Sequence, residues 1–559
     1  MTQRGSGLTA LVCFGAAATA CGGWVELQSA ETGAGGATAG TVGATTGAPA
    51  STGGTVGSSA AGQGQGQGQA GKSQGMPEAG GVGGELLGEA GSGPESPILS
   101  VLAPPAPQLI PDGADGPGIT FSASAVIDVG SLERGALAGA TEYCFKKPQS
   151  QYTCDWQSRE PFVWTEATGM RPLDRLNPGG LSFFPTHVSG DGDTVVGVHN
   201  TASGSGFFRW TKAAGATSLG EPAGTVSGQP FGMSSDGKTV VGLAKVDGKS
   251  GVGHEQFVWS EQGGYSVLGQ SAGWPAEGEV VGVTADGATV FGQTTFASET
   301  HSAFRWTPQG GAELLPGLPG LSYCWIERST PDGAALFGTC SDAQRIGHAF
   351  RWTEAGGTQS LSNPSDACAL RGIFSVSADG NTAFGTVECG DNVYAPGRWS
   401  AVAGVSKLPS APTGFRADLG LTGSSNGDVA FGSLLPVGGP QQPGGAGSAA
   451  FRWTAATGLV PLPPPSGQNF TAASAIDAQG LVLVGHSGVA NTTNRAVMWD
   501  ASGLLDITSY VTGHGVDLRG LELTHSERVA VTGDTILIQG FANANNRGGT
   551  WFARIPLKR

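Results

Sequence analysis

Charge is what this sequence has least of. Asp, Glu, Lys and Arg make up 13% of its 559 residues, about half the roughly 25% usual in a globular chain. Basic residues are scarcer still: 29 Lys and Arg stand against 44 Asp and Glu, a net charge of −15. That excludes a nucleic-acid backbone as the main partner, because such sites need a basic footprint. A coiled coil needs abundant charge on long periodic helices, and neither is present. Collagen needs a strict three-residue glycine period, and the 97 Gly do not keep one. No HExxH or CxxC spacing occurs among the eight His and eight Cys, so no zinc motif of those types is present. What remains is 39% hydrophobic content with 13 Trp, enough for a large core and too much for a fully disordered chain.

The first residues read MTQRGSGLTALVCFGAAATAC. Arg4 gives a positive start, and the apolar stretch at residues 8–20 is too short for an ordinary membrane-spanning helix. Small residues Ala18, Thr19 and Ala20 run into Cys21. This resembles the lipobox of bacterial lipoproteins. The resemblance implies a signal peptide at 1–20, lipid on the Cys21 thiol, and a membrane anchor at the mature N-terminus. Gly22 after the cysteine is similar to the sorting pattern for the outer membrane. The alternative is a secretory signal cut near Ala20, with Cys21 incidental. Both export the chain.

Residues 21–96 read as a disordered tether. From about residue 31 they are mainly Gly, Ala, Ser, Thr and Gln, including GQGQGQGQ, and cannot bury a core. A coil of about 65 such residues spans roughly 45 Å. Residues 66–73 match the GxxxxGK[ST] pattern of a phosphate-binding loop. The match lacks the preceding strand and following helix that aim backbone amides at phosphate, so no nucleotide is expected.

Residues 97–559 read as the folded domain, and from about Ile119 onward the chain repeats itself. One element is a turn: SGDGDTVVG from Ser189, SSDGKTVVG from Ser234, TADGATVFG from Thr284, TPDGAALFG from Thr330, SADGNTAFG from Ser377 and SSNGDVAFG from Ser424. The other is an aromatic strand of FxW type with Trp164, Trp210, Trp259, Trp306, Trp352, Trp399, Trp453 and Trp499, spaced 46 to 54 residues apart. Such a period marks a repeated supersecondary unit. Asp-Gly between two β-rich runs predicts a hairpin, with a type I′ turn expected. The FxW strand follows a variable loop, and Gly with a spaced Leu adds a fourth strand. Four short strands per 40–50 residues predict an all-β fold, a β-propeller of about eight to nine four-stranded blades. The last unit, near residues 521–556, lacks a fourth strand. PILSVLA at residues 97–103 is expected to supply it.

Removing Cys13 and Cys21 leaves six cysteines in three close pairs: Cys144 with Cys154, Cys324 with Cys340, and Cys368 with Cys389. In an exported chain these are disulfide candidates. Nearest-neighbour bridges are the simplest of 15 connectivities. Each would close a short loop worth about 2–3 kcal/mol.

At residues 348–352 the sequence spells HAFRW. With the spaced Gly and Leu at 356–361 and the turn at 377–385, it resembles the HAF-type extracellular repeat family of bacteria. Looser copies cover about 430 residues. The resemblance implies an exported repeat protein and brings no catalytic residue or ligand.

Other motifs read as structure. Ser425 in GSSNG matches a hydrolase elbow, but sits where other units carry the SxDG turn. Asp191, Asp236, Asp286, Asp332 and Asp379 give one carboxylate per turn, fewer than a calcium loop needs. Arg209, Arg305, Arg351, Arg398 and Arg452 recur mid-strand beside the Trp; they are expected to pair between blades, or else to form a ring for anionic glycans. No catalytic residue, cofactor or metal ligand is identified. The expectation is a monomeric, lipid-anchored surface scaffold or binding module, its ligand a protein or glycan. The alternative is a glycan-active hydrolase or lyase with a site in the central funnel. Cys21→Ser should abolish incorporation of labelled palmitate, and undiminished labelling would remove the anchor.

Overall fold

The computed structural model describes residues 98–102 and 119–557, apart from short stretches of which 174–182 and 269–276 are the longest. The signal peptide with Cys21 and the tether at 21–96 lie outside the described residues. All described residues fall in one compact unit. Among them the only α-helix is Ile507–Gly513, and no helix is long and apolar enough to cross a membrane.

The described residues form nine four-stranded antiparallel blades, the first eight each a simple meander. Blades 1 to 8 occupy residues 119–172, 183–220, 225–267, 277–314, 323–360, 369–407, 415–462 and 470–506. Blades 4 and 5 are linked into one sheet by a single parallel pairing, His301 with Tyr323. Blade 9 takes three strands from residues 522–556 and its fourth from Ile98–Leu102, which pairs with Arg547–Pro556. The expected strand donation from the N-terminal side is what closes the ring.

Hydrophobic burial follows the seams between blades. Nine apolar clusters each draw side chains from two adjacent blades. The closing cluster joins Leu137, Phe162 and Trp164 of blade 1 to Ala530, Leu537 and Phe552 of blade 9. In most seams the first strands of neighbouring blades pack together, so first strands face the axis and fourth strands form the rim. The FxW segment is the third strand: Phe257 and Trp259, for example, lie in His254–Ser260, paired on one side with Thr239–Val246 and on the other with Gly264–Val267.

The SxDG turns differ from the expected type I′ form. Gly237 N donates to Ser234 O at 2.9 Å, and Ser234 N to Thr239 O at 2.9 Å. Only the glycine, at φ +68°, enters the left-handed region; the preceding Asp does not. The loop is therefore a four-residue connection, a type I turn followed by a left-handed glycine. Its side chains explain why. Ser234 Oγ donates to Asp236 Oδ1 at 2.7 Å and accepts from Thr239 N at 3.0 Å, while Asp236 Oδ1 accepts from Lys238 N at 3.0 Å. This Ser–Asp bracket closes a wider loop than an isolated Asp-Gly hairpin; it recurs in blades 2 and 6, with Thr284 for Ser in blade 4 and Asn426 for Asp in blade 7. In blade 8 Asp477 performs both roles, accepting from Gln479 N and Val482 N.

Gly237 also faces blade 2: a Cβ there would lie 2.6 Å from Thr194 Cβ. Gly220 has a similar φ of +71°, with nothing within 4 Å of an added Cβ. Gly220→Ala should thus show backbone strain alone, about 1 kcal/mol. Gly237→Ala should cost at least about twice that, because strain and the seam clash add. Equal losses in denaturant melts of the two variants would remove the role given to the seam.

Candidate functional site

The repeated polar residues converge on the seams. At the turn end, backbone amides pass from blade to blade. Gly190 N donates to Ser235 O, Ser235 N to Ala285 O, and Ala285 N to Pro331 O, at 2.8, 2.8 and 3.3 Å. Pro331 has no N–H to continue the belt. It resumes from Ala378 N to Ser425 O at 2.7 Å and from Asn426 N to Ala478 O at 3.2 Å. Ser425 therefore sits in a hairpin turn, where no strand-to-helix elbow exists.

Across the gap at Pro331, side chains join the inner strands of blades 5 and 6. Glu327, the extra residue of a β-bulge, accepts from Ile373 N at 2.8 Å through Oε2 and from Trp325 Nε1 at 3.1 Å through Oε1. Arg328 Nε donates to Phe374 O at 2.7 Å. Arg371 of blade 6 reaches back to Gly347 O at 3.1 Å and pairs with Glu388 at 2.8 Å. Burial raises the Glu327 pKa above the usual carboxylate value, opposed by the Ile373 and Trp325 hydrogen bonds.

The arginines of the FxW strands reach the following blade. Arg209 lies 5.8 Å from the Trp259 ring centroid, pairs with Glu261 at 3.2 Å and donates to Gly237 O at 3.2 Å. Arg305 lies 5.2 Å from the Trp352 centroid and pairs with Glu354 at 3.3 Å. Arg398 stands over Trp453, and Arg452 donates to Gly480 O at 2.9 Å. Arg351 stands over Phe337 of its own blade. The guanidinium faces are stacked and the forks partly used, so these arginines act first as seam residues.

The turn carboxylates are likewise occupied. Asp286 is held below its ordinary pKa by hydrogen bonds from Thr284 Oγ1 and Ala288 N, and Asp379 by those from Ser377 Oγ and Asn381 N. Among the described residues, no group of three or more His, Cys, Asp or Glu is placed to hold a metal ion.

Two of the candidate disulfides form. Cys324–Cys340 and Cys368–Cys389 each tie the first strand of a blade to its second, in blades 5 and 6. Backbone register sets Cys144 opposite Cys154; their side chains lie outside the described residues.

Two groupings have no sequence signal of their own. Glu327 and Arg328 show only as a charged pair in a strand that is otherwise largely uncharged. His486 and His525, 39 residues apart, meet across the seam of blades 8 and 9 with ring centroids 4.4 Å apart.

No family model matches the chain, and no curated protein matches it. Solved structures similar to it include prolyl endopeptidases, at 12% identity and TM-score 0.36 over 69% of this chain and 54% of that one. An oligogalacturonate lyase in complex with manganese is similar at 11% identity and TM-score 0.36, over 83% and 94% of the two chains. The β-propeller domain of the Trilobed protease from Pyrococcus furiosus is similar at 8% identity and TM-score 0.32, over 60% and 96%. The chain spans about half the length of the prolyl endopeptidase it matches.

In an R305A/R398A protein, loss of two stacked contacts should lower stability by about 1–2 kcal/mol in total. Retention on a carboxylated or sulfated glycan column at fixed salt should not change. Lost retention with unchanged stability would reassign these arginines to ligand binding.

Proposed function

We propose that this chain is an exported, lipid-anchored repeat protein of HAF type that serves as a non-catalytic scaffold or binding module at the cell surface. Cys21 is its anchor, residues 21–96 are its stalk, and the propeller is its working domain. The lipobox-like start and two disulfides support export.

One observation carries the binding role. The repeated polar residues serve the seams, whereas several exposed apolar side chains lie where second strands pass to third; others, such as Val402 and Leu481, lie at the opposite end. Val393 and Tyr394 of blade 6, Val437 of blade 7 and Val489 of blade 8 are all exposed, Val437 at 69%. These connections lie at the end opposite the SxDG turns. They are irregular in length and sequence from blade to blade, as loops that select a ligand are. A protein or glycan surface with apolar faces is the partner they suit.

The competing reading is a glycan-active hydrolase or lyase working from the central funnel. Glu327 favours it: an inner-strand carboxyl with raised pKa resembles a general acid.

Residues 97–559 carrying Tyr394→Ser, Val437→Ser and Val489→Ser should bind envelope fractions and arrayed glycans at least about tenfold more weakly than the unaltered domain. Equal binding would remove the loops as the site. Release of sugar fragments by the unaltered domain, abolished by Glu327→Gln, would favour the enzyme.

A further inference from the structure

The seam between blades 8 and 9 differs from the others in holding two imidazoles against each other. His486 lies on the second strand of blade 8, Leu483–Gly488, and His525 on the first strand of blade 9, Glu522–Thr532. Phe470 meets the His486 ring edge-on at 5.8 Å. Asn494 Nδ2 donates to His525 Nε2 at 2.9 Å, so that nitrogen carries no proton; His525 Nδ1 lies 3.0 Å from Thr524 Oγ1 and can donate to it. Nδ1 of His486 is buried with no hydrogen-bond partner. Both rings are thus accommodated in the neutral form.

We propose that this histidine pair makes the blade 8–9 seam an acid-sensitive joint, closed while both rings are neutral and opened by their protonation. A proton on His525 Nε2 would confront the Asn494 amide donor. A proton on His486 would place charge in an apolar seam, a few ångströms from its partner ring. No carboxylate is hydrogen-bonded or ion-paired to either ring among the described residues; Asp517 follows the helix, and the third strand of blade 9, Arg547–Pro556, brings Arg554, itself lowered by burial. The first strand of blade 8, Phe470–Ile476, the second strand of blade 9, Thr535–Ala544, and the helix Ile507–Gly513 carry no charged residue. On the third strand of blade 8, Arg495 pairs with Asp506 at 3.4 Å, and Asp500 accepts from Ser502. On the first strand of blade 9, Glu527 is itself raised by burial and coupled to Arg528, and Glu522 stands at the strand start.

The pH window follows. Burial, then the His525 charge, lowers His486 from 6.5 to about 4, and burial lowers His525 in the same direction. A histidine with depressed native pKa contributes stability above 6.5 that is lost as pH falls towards the native value. For His486 alone, the 6.5-to-4 gap corresponds to a rise of roughly 300-fold in the opening constant.

Hydrogen exchange on the full chain, normalised to intrinsic rates, tests this between pH 7 and pH 4. Protection of strands 470–488 and 522–532 should fall by tens to hundreds of fold, while strands 290–307 of blade 4 keep theirs. His486→Phe should flatten the seam's pH dependence; His486→Gln serves the same purpose if the Phe variant does not fold. Parallel loss in blade 4, or unchanged pH dependence in the folded variant, overturns the joint. So does an imidazole at His486 titrating near 6.5 in a carbon-13 histidine spectrum of the unaltered chain.

Discussion

Every blade in this ring is buried by its neighbours. A single four-stranded meander has two apolar faces and nothing of its own to cover them, so each seam is a core shared by two units. Nine such cores follow one another, the ninth uniting the first blade with the last. Seam spacing then governs the glycines. A turn glycine such as Gly237 can press on Thr194 because it has no side chain, and a strand glycine such as Gly242 lets both the Gln229 carbonyl and the Phe257 ring approach. The glycine content that resembles low complexity is, in this domain, a close-packing requirement.

The same geometry determines what the repeated polar residues do. The turn Ser is buried because its hydroxyl brackets the loop, and the Asp beside it stays ionised because that loop donates to it. The FxW arginines Arg209, Arg305 and Arg398 lie across the next blade's Trp. Where one bond of the system is forbidden, as at Pro331, the chain carries Glu327 and Arg328, whose side chains reach the neighbouring backbone instead. The repeat motif therefore describes the joints of the ring, and residues outside the motif are the ones free to differ in function.

This division explains how much was legible in the sequence. The Trp spacing identified the blades, the Asp-Gly and Asn-Gly turns located the first hairpin of blades 2 to 7, and the missing strand of the last unit pointed to residues 97–103, of which 98–102 form it. Those signals are local or strictly periodic. The turn type was misjudged, because Asp-Gly alone favours type I′ while the Ser–Asp bracket around it selects the wider loop. His486 with His525, and Glu327 with Ile373, are contacts between blades. Their partners are fixed by ring geometry at no constant sequence interval, and one of them is a backbone amide that any residue supplies. Exposed Tyr394 and Val437 were equally silent, since exposure depends on loop paths that obey no repeat.

The strand Ile98–Leu102 is made early and used last. Its partner Arg547–Pro556 follows about 450 residues later, which at about 5–20 residues per second is roughly 20–90 seconds of synthesis. Until then the ring lacks its final blade, and blades 1 and 8 each have one face uncovered. Closure is consequently the step of highest contact order in the domain and should come at the end of folding. For that interval the chain is an open stack of blades with two sticky ends, and its most vulnerable moment comes just before it is complete.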